Sequence, residues 1–188
     1  MGDSVLLEKK SGVASIFLNE SESLNALSPS VKEGLMNALK ESEKDSSVKV
    51  IILVGKGKAF CAGGDIRSMG NGATVVQTKH RMEFAKKLIQ TIVQIDKPII
   101  AAVHGYAFGA GFSVALASDI IIAEKGTKFG LAFKKLGAIP DCGAHYFLSK
   151  VVGSWKAKEW IWTGATITAE VGERYGFVNQ LVEQGEAY

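Results

Sequence analysis

The stretch LGAIPDCGAHYF, residues 136–147, sets one acid among apolar neighbours, two glycines and a proline. Asp141 there admits two readings. Pro-Asp followed closely by Gly is ordinary turn chemistry, since proline fixes φ and aspartate bonds nearby backbone. A carboxylate pressed against a core needs a use, however, because burying an unpaired charge is costly. Two glycine-rich segments offer a second set of chemical parts: CAGGD (61–65) after VIILVG, and FGAG (108–111) after PIIAAVHG. A strand that runs through glycines into a helix leaves backbone N–H groups unpaired at the helix start, where they favour negative charge. If neighbouring strands bring the two loops together, one N–H from each grips a single oxygen. In such an oxyanion hole each donor contributes about 3 kcal/mol to the transition state.

Rival motifs fail on spacing. GKGKAF lacks the gap and the Ser or Thr of a phosphate-binding P-loop, and GYAFGAG is not G-x-G-x-x-G. GFSVA around Ser113 lacks the closing glycine of a nucleophile elbow. His80, His104 and His145 are not spaced as metal ligands, and Cys61 and Cys142 provide neither a disulfide framework nor a zinc pattern. A net charge of +3 with dispersed lysines argues against nucleic acid as a partner. The start MGDSVLLEKK has no apolar signal core, and PIIAAVHGYAFGAGFSVALA is broken by glycines and His104, so it reads as buried core rather than a membrane span.

The elements that must position these parts follow from hydrophobic period. VLLEKK and VASIFL read as two strands with Ser11-Gly12 as their turn. Ser28 is a helix cap with Pro29 at the first helical position, and Val31, Leu35, Ala38 and Leu39 recur at helical spacing behind it. VKVIILVG, KPIIAAVHG and DIIIAE are β-branched runs of the kind buried on both faces of a sheet. A helix covers roughly 74–95, and a small-residue helix runs from Phe112 to Ala117. Short helices and turns then lead to a strand-like FVNQLVE. Strand, helix, strand in this order implies an α/β fold with crossover connections, and 188 residues suffice for a sizeable core in one domain. Trp155, Trp160 and Trp162 form an apolar face that nothing later in the chain covers.

GKGKAFCAGGDIRSM, KPIIAAVHGYAFGAGFSVALASDIIIAE and KFGLAFKKLGAIPDCGAHYFL, in that order, resemble the enoyl-CoA hydratase/isomerase (crotonase) superfamily, over roughly Leu6 to Glu183. The resemblance implies the ClpP/crotonase-like α/β spiral of ββα units, here a single acyl-CoA-binding domain over residues 1–188 without the family's C-terminal helical region. It implies an acyl-CoA thioester as substrate, no cofactor beyond the coenzyme A that the substrate carries, a homotrimer or dimer of trimers, and a cytoplasmic enzyme of fatty acid metabolism without nucleic-acid or membrane partners.

By motif position the oxyanion donors fall on the Gly64 and Ala110 N–H groups, Ala110 replacing a usual glycine. Hydratases of the family carry two glutamates, whose positions hold Ser113 and Phe133 here. Neither residue is a base unaided, so hydration, a lyase reaction needing two proton-handling groups, is disfavoured. Asp141 falls where family isomerases, a dehalogenase and some hydrolases place a catalytic aspartate, and IPDCG is similar to the phenylacetate-pathway isomerase branch. One carboxylate suffices for a 1,3-proton shift, which makes an enoyl-CoA isomerase with Asp141 as shuttle the leading expectation. Thioester hydrolysis, dehalogenation, decarboxylation and a non-catalytic CoA-ester-binding role are the alternatives. For substrate and CoA binding the resemblance adds Lys56, Lys58, Arg67, Ala62, Asp65, Ile66 and Leu24, together with Ser113 and Phe133 as pocket residues.

Overall fold

A computed structural model describes residues 3–65, 74–131, 133–134 and 137–188. In chain order the elements are β1 (Val5–Lys10), β2 (Val13–Leu18), α1 (Pro29–Lys44), β3 (Val50–Gly55), α2 (Val75–Gln94), β4 (Ile99–Val103), β5 (Tyr106–Phe108) and α3 (Ala110–Ala117). They continue with β6 (Ile120–Glu124), β7 (Lys128–Gly130), α4 (Ala144–Val152), α5 (Ser154–Thr163), β8 (Thr166–Thr168), α6 (Ala169–Tyr175) and β9 (Gln180–Val182). The main sheet runs β1-β2-β3-β4-β6-β9; only β1 is antiparallel to its neighbour. A second sheet stacks β5-β7-β8. The α/β expectation holds in this arrangement of a mostly parallel main sheet with helices between its strands.

The hairpin β1–β2 turns on Ser11 and Gly12, both at positive φ (51° and 84°), the pairing that matches the twist of the flanking strands. β3 and β4 lie side by side and parallel, with Ile51 opposite Ile99 and Val54 opposite Ala102. The two glycine loops leave these strands at the same end of the sheet, because parallel neighbours must deliver their following loops to one edge. Lys97, just before β4, donates to the Ser42 and Asp45 carbonyls at 2.6 Å each, tying the end of α1 to the start of that strand. Ser28 caps α1 as its sequence signals, its hydroxyl accepting from Val31 N–H at 3.2 Å.

Four features differ from the sequence reading. The helix expected from Phe112 begins two residues earlier, at Ala110. Gly111 permits this, since a Cβ there would stand 2.3 Å from the Cys61 carbonyl oxygen. Strands β5, β7 and β8 have three residues each, too short for period-2 patterning to register. The terminal strand is confined to Gln180–Val182, with Phe177 and Val178 ahead of it in the core. Trp160 is 7% exposed and packs on Tyr175 and Phe177, while Trp155 (83%) and Trp162 (70%) remain open. Phe112, Phe129 and Phe177 meet at centroid distances of 5.0–5.2 Å, which fastens α3 to the second sheet. Among the described residues no helix is long and apolar enough to cross a membrane.

Candidate active site

The glycine loops are zipped to each other by backbone. Cys61 N–H donates to Tyr106 O (3.1 Å), and Phe108 N–H returns to Cys61 O (3.0 Å). Gly63 sits at φ 105°, and a Cβ there would lie 2.7 Å from the Phe108 carbonyl oxygen and 3.5 Å from Ala110 N. Only glycine allows that approach. On the other side Leu27 N–H donates to Gly63 O at 2.7 Å, so the segment before α1 clamps the same loop. Among the described residues no backbone carbonyl accepts from the Gly64 N–H, and the Ala110 N–H opens α3, where no intrahelical acceptor exists. The methyl of Ala110 leaves its amide in place; the residue is buried and lines the cavity described next.

A cavity of about 640 Å³ is walled by Gly64, Asp65, Ala110, Phe133 and Asp141, with Leu27, Leu88, Ile89 and Val114 among its apolar surfaces. A second hollow, of about 840 Å³, adjoins it along α2 and shares Asp141 and Cys142. Asp141 therefore stands between the two. Its Oδ1 is buried and has no hydrogen-bond partner among the described residues. The turn that presents it is built by other groups: Cys142 (φ 50°) and Gly143 (φ 75°) carry the left-handed backbone, and Ala144 N–H closes onto the Asp141 carbonyl at 3.0 Å. Burial pushes the Cys142 thiol up to about 12, with the neighbouring Asp141 adding to the effect, so Cys142 stays protonated and is no nucleophile. Burial likewise holds the Cys61 thiol up at about 12.

The remaining sequence-derived residues divide. Phe133 forms a wall of the cavity, its Cζ 3.9 Å from where a Gly109 Cβ would be. Ser113 is fully buried and off that wall; its hydroxyl is within bonding distance of the Gly109 (3.2 Å) and Asp141 (3.4 Å) carbonyls, so it braces the Asp141 turn from behind. Ala62 donates its N–H to Leu24 O at 2.9 Å, joining two members of the set through backbone away from the cavity lining. Lys56 places its ammonium 4.0 Å from the centre of the Phe17 ring, and Lys58 is exposed; neither lines the cavity. Ile66 and Arg67 lie outside the described residues. His80 and His145 are exposed, and His104 bonds the Gly57 carbonyl at 3.1 Å.

Three further residues bear on the site. Asn25, fully buried at φ 55°, accepts from Glu20 N–H and donates to the Lys56 and Ala59 carbonyls at 2.8–2.9 Å, bolting the N-terminal segment to the first loop. Lys32 on α1 and Arg81 on α2 both line the cavity. Lys32 is only 9% exposed, and burial first, then the like charge of Arg81, lowers its pKa against an opposing pull from Cys142, Asp141 and Asp65. A lysine on the flank of the stripe Val31, Leu35, Leu39 was the available signal, and by pattern alone it reads as a solvated edge.

Gly64 and Ala110, whose amides have no backbone acceptor among the described residues, line one cavity with the Asp141 carboxylate, a set of groups suited to holding an oxyanion while a proton moves. The sequence profile of enoyl-CoA hydratase/isomerase matches residues 8–187. The chain belongs to that family. It is similar to 1,2-epoxyphenylacetyl-CoA isomerase of Escherichia coli K12, with 34% identity over 97% of this chain and 71% of the relative. It is also similar to short-chain-enoyl-CoA hydratase of Clostridium acetobutylicum, with 37% identity over 98% of this chain and 70% of the relative. The crystal structure of an enoyl-CoA hydratase from Bacillus anthracis superposes with a TM-score of 0.91 at 32% identity, over 96% of this chain and 70% of that one. The chain thus spans about two thirds of the length of such relatives.

Proposed function

We infer that this protein is an enoyl-CoA isomerase. Asp141 removes a proton from C2 of a 3-enoyl thioester, and the electron pair moves into the thioester carbonyl. The Gly64 and Ala110 N–H groups hold the resulting enolate oxygen. Asp141 then returns the proton at C4, which leaves the double bond between C2 and C3. The observation that carries this reading is the buried Oδ1 of Asp141, without a hydrogen-bond partner among the described residues, on the cavity that Gly64 and Ala110 also line. Hydration is the second reading, favoured by relatives that bear hydratase names. It requires a further group to activate water, yet Phe133 is hydrocarbon and the Ser113 hydroxyl faces backbone carbonyls.

The test is a paired incubation with 3-enoyl-CoA and with trans-2-enoyl-CoA, following conjugated product in one and 3-hydroxyacyl product in the other. Conjugation is expected, and Asp141→Asn should lower kcat by about 10³-fold, within the range of general acid–base catalysis, while an unreactive acyl-CoA still binds. Undiminished turnover by Asp141→Asn, or a product that is only the 3-hydroxyacyl ester, would refute the shuttle.

A further inference from the structure

Lys32 is a buried cation for which the proton shift has no use. It lies five residues beyond Leu27, whose backbone is bridged to Gly64, and so close in the fold to the oxyanion loop. The neighbouring Met36, one turn along the same face of α1, accepts from the Thr91 hydroxyl of α2, which joins the two helices close to Lys32. Lys32 lines the cavity that holds Asp141. Among the described residues its ammonium makes no ion pair and donates no hydrogen bond.

A buried ammonium that the Asp141 and Asp65 charges reach only at longer range, with no hydrogen bond or ion pair of its own among the described residues, is unfavourable, and methionine or leucine would line a pocket for a plain hydrocarbon chain at less cost. Lysines do bury their stems and keep their heads in bulk water. Here Lys32 lines a cavity whose other walls include Leu27, Leu88 and Ile89. A ligand that fills the cavity with hydrocarbon would strip the ammonium of water and return nothing. One that brings an oxygen would supply the missing acceptor.

We propose that Lys32 is a specificity residue, and that the preferred substrate is an acyl-CoA whose chain carries an oxygen acceptor, a carboxylate or a hydroxyl, beyond the reacting carbons. This rests on the reading of the cavity as an acyl-CoA site and is independent of which proton step follows there. Arg81 lines the same cavity.

Equilibrium binding to the full chain separates the cases without any need for turnover. The probes are hexanoyl-CoA, its ω-hydroxy counterpart and the ω-carboxy ester of equal length, all saturated and unreactive. One of the oxygenated esters is expected to bind about tenfold more tightly than hexanoyl-CoA, as a hydrogen bond to a charged group allows. Lys32→Met should abolish that preference and tighten hexanoyl-CoA. Lys32→Gln should keep a preference for the hydroxyl ester and lose one for the carboxylate. Equal affinities for the three esters, or a preference that survives in Lys32→Met, would overturn the proposal and leave the acyl-CoA site standing. Failure of all three esters to bind would overturn both. The ranking in the unsubstituted protein decides the matter even where a variant does not fold.

Discussion

Asn25 shows how a single side chain can govern a site it does not touch. Its amide satisfies two carbonyls of the first glycine loop while its oxygen takes the Glu20 N–H. Asn25→Ala removes these bonds together and leaves buried acceptors unpaired. Urea unfolding should register a loss of about 3 kcal/mol, and the loop carrying Gly64 should lose its fixed position relative to Ala110. Gly63 and Gly111 work by absence. Each is a point where any Cβ would meet the backbone of the opposite loop. Ser113 acts in the same indirect way, bracing the Asp141 carbonyl and leaving the carboxylate to the cavity.

At the scale of elements, α2 is divided along its length. Its buried residues, Leu88, Ile89 and Ile92, all lie in the C-terminal half, whereas Val75 and Val76 at the start stand in solvent. The N-terminal half nevertheless supplies Arg81 and Met82 to the cavity wall. It relies on a capping box, in which the Thr74 hydroxyl accepts from Gln77 N–H and the Gln77 side chain accepts from Thr74 N–H. Thr74→Ala should therefore cost about 1 kcal/mol locally. Amide hydrogen exchange at Thr78 and Lys79 should quicken about fivefold in consequence, with Leu88 to Ile92 unaffected. A uniform change along the helix would mean that the cap supports the whole element and not its first half.

For the whole molecule, the two thiols, Cys61 buried and Cys142 half-buried, link stability to alkaline pH. Both Cys61 and Cys142 are held at about 12, above the ordinary value of 9.0. Between those values the native chain binds more protons than the unfolded one, so stability is complete below 9.0 and falls as pH rises toward 12. The urea midpoint should drop between about pH 8 and about pH 10.5, and Cys61→Ala should lessen the drop. An identical pH slope in that variant would show that other groups set the alkaline limit. The exposed Trp155 and Trp162 belong to this scale too, since α5 buries only Ala157 and Trp160 against the rest of the chain.

Local chemistry made much of this protein legible from its sequence. β-branched runs marked the buried strands, Ser28-Pro29 marked the start of α1, and two glycine loops after two such strands marked the segments that the fold joins by backbone beside the cavity lined by Asp141. These signals are local because dihedral preference and hydrophobic period are properties of neighbouring residues. Contacts between distant segments are not. Only the tertiary structure decided that Asn25 bolts the first loop, that Ser113 faces backbone while Phe133 faces the cavity, and that Trp160 alone of its face is buried. The same holds for Lys32, a solvated edge by pattern and a cavity wall in the fold. Its surroundings are set by α2 and the Asp141 turn, whose approach to α1 no stretch of sequence around residue 32 contains.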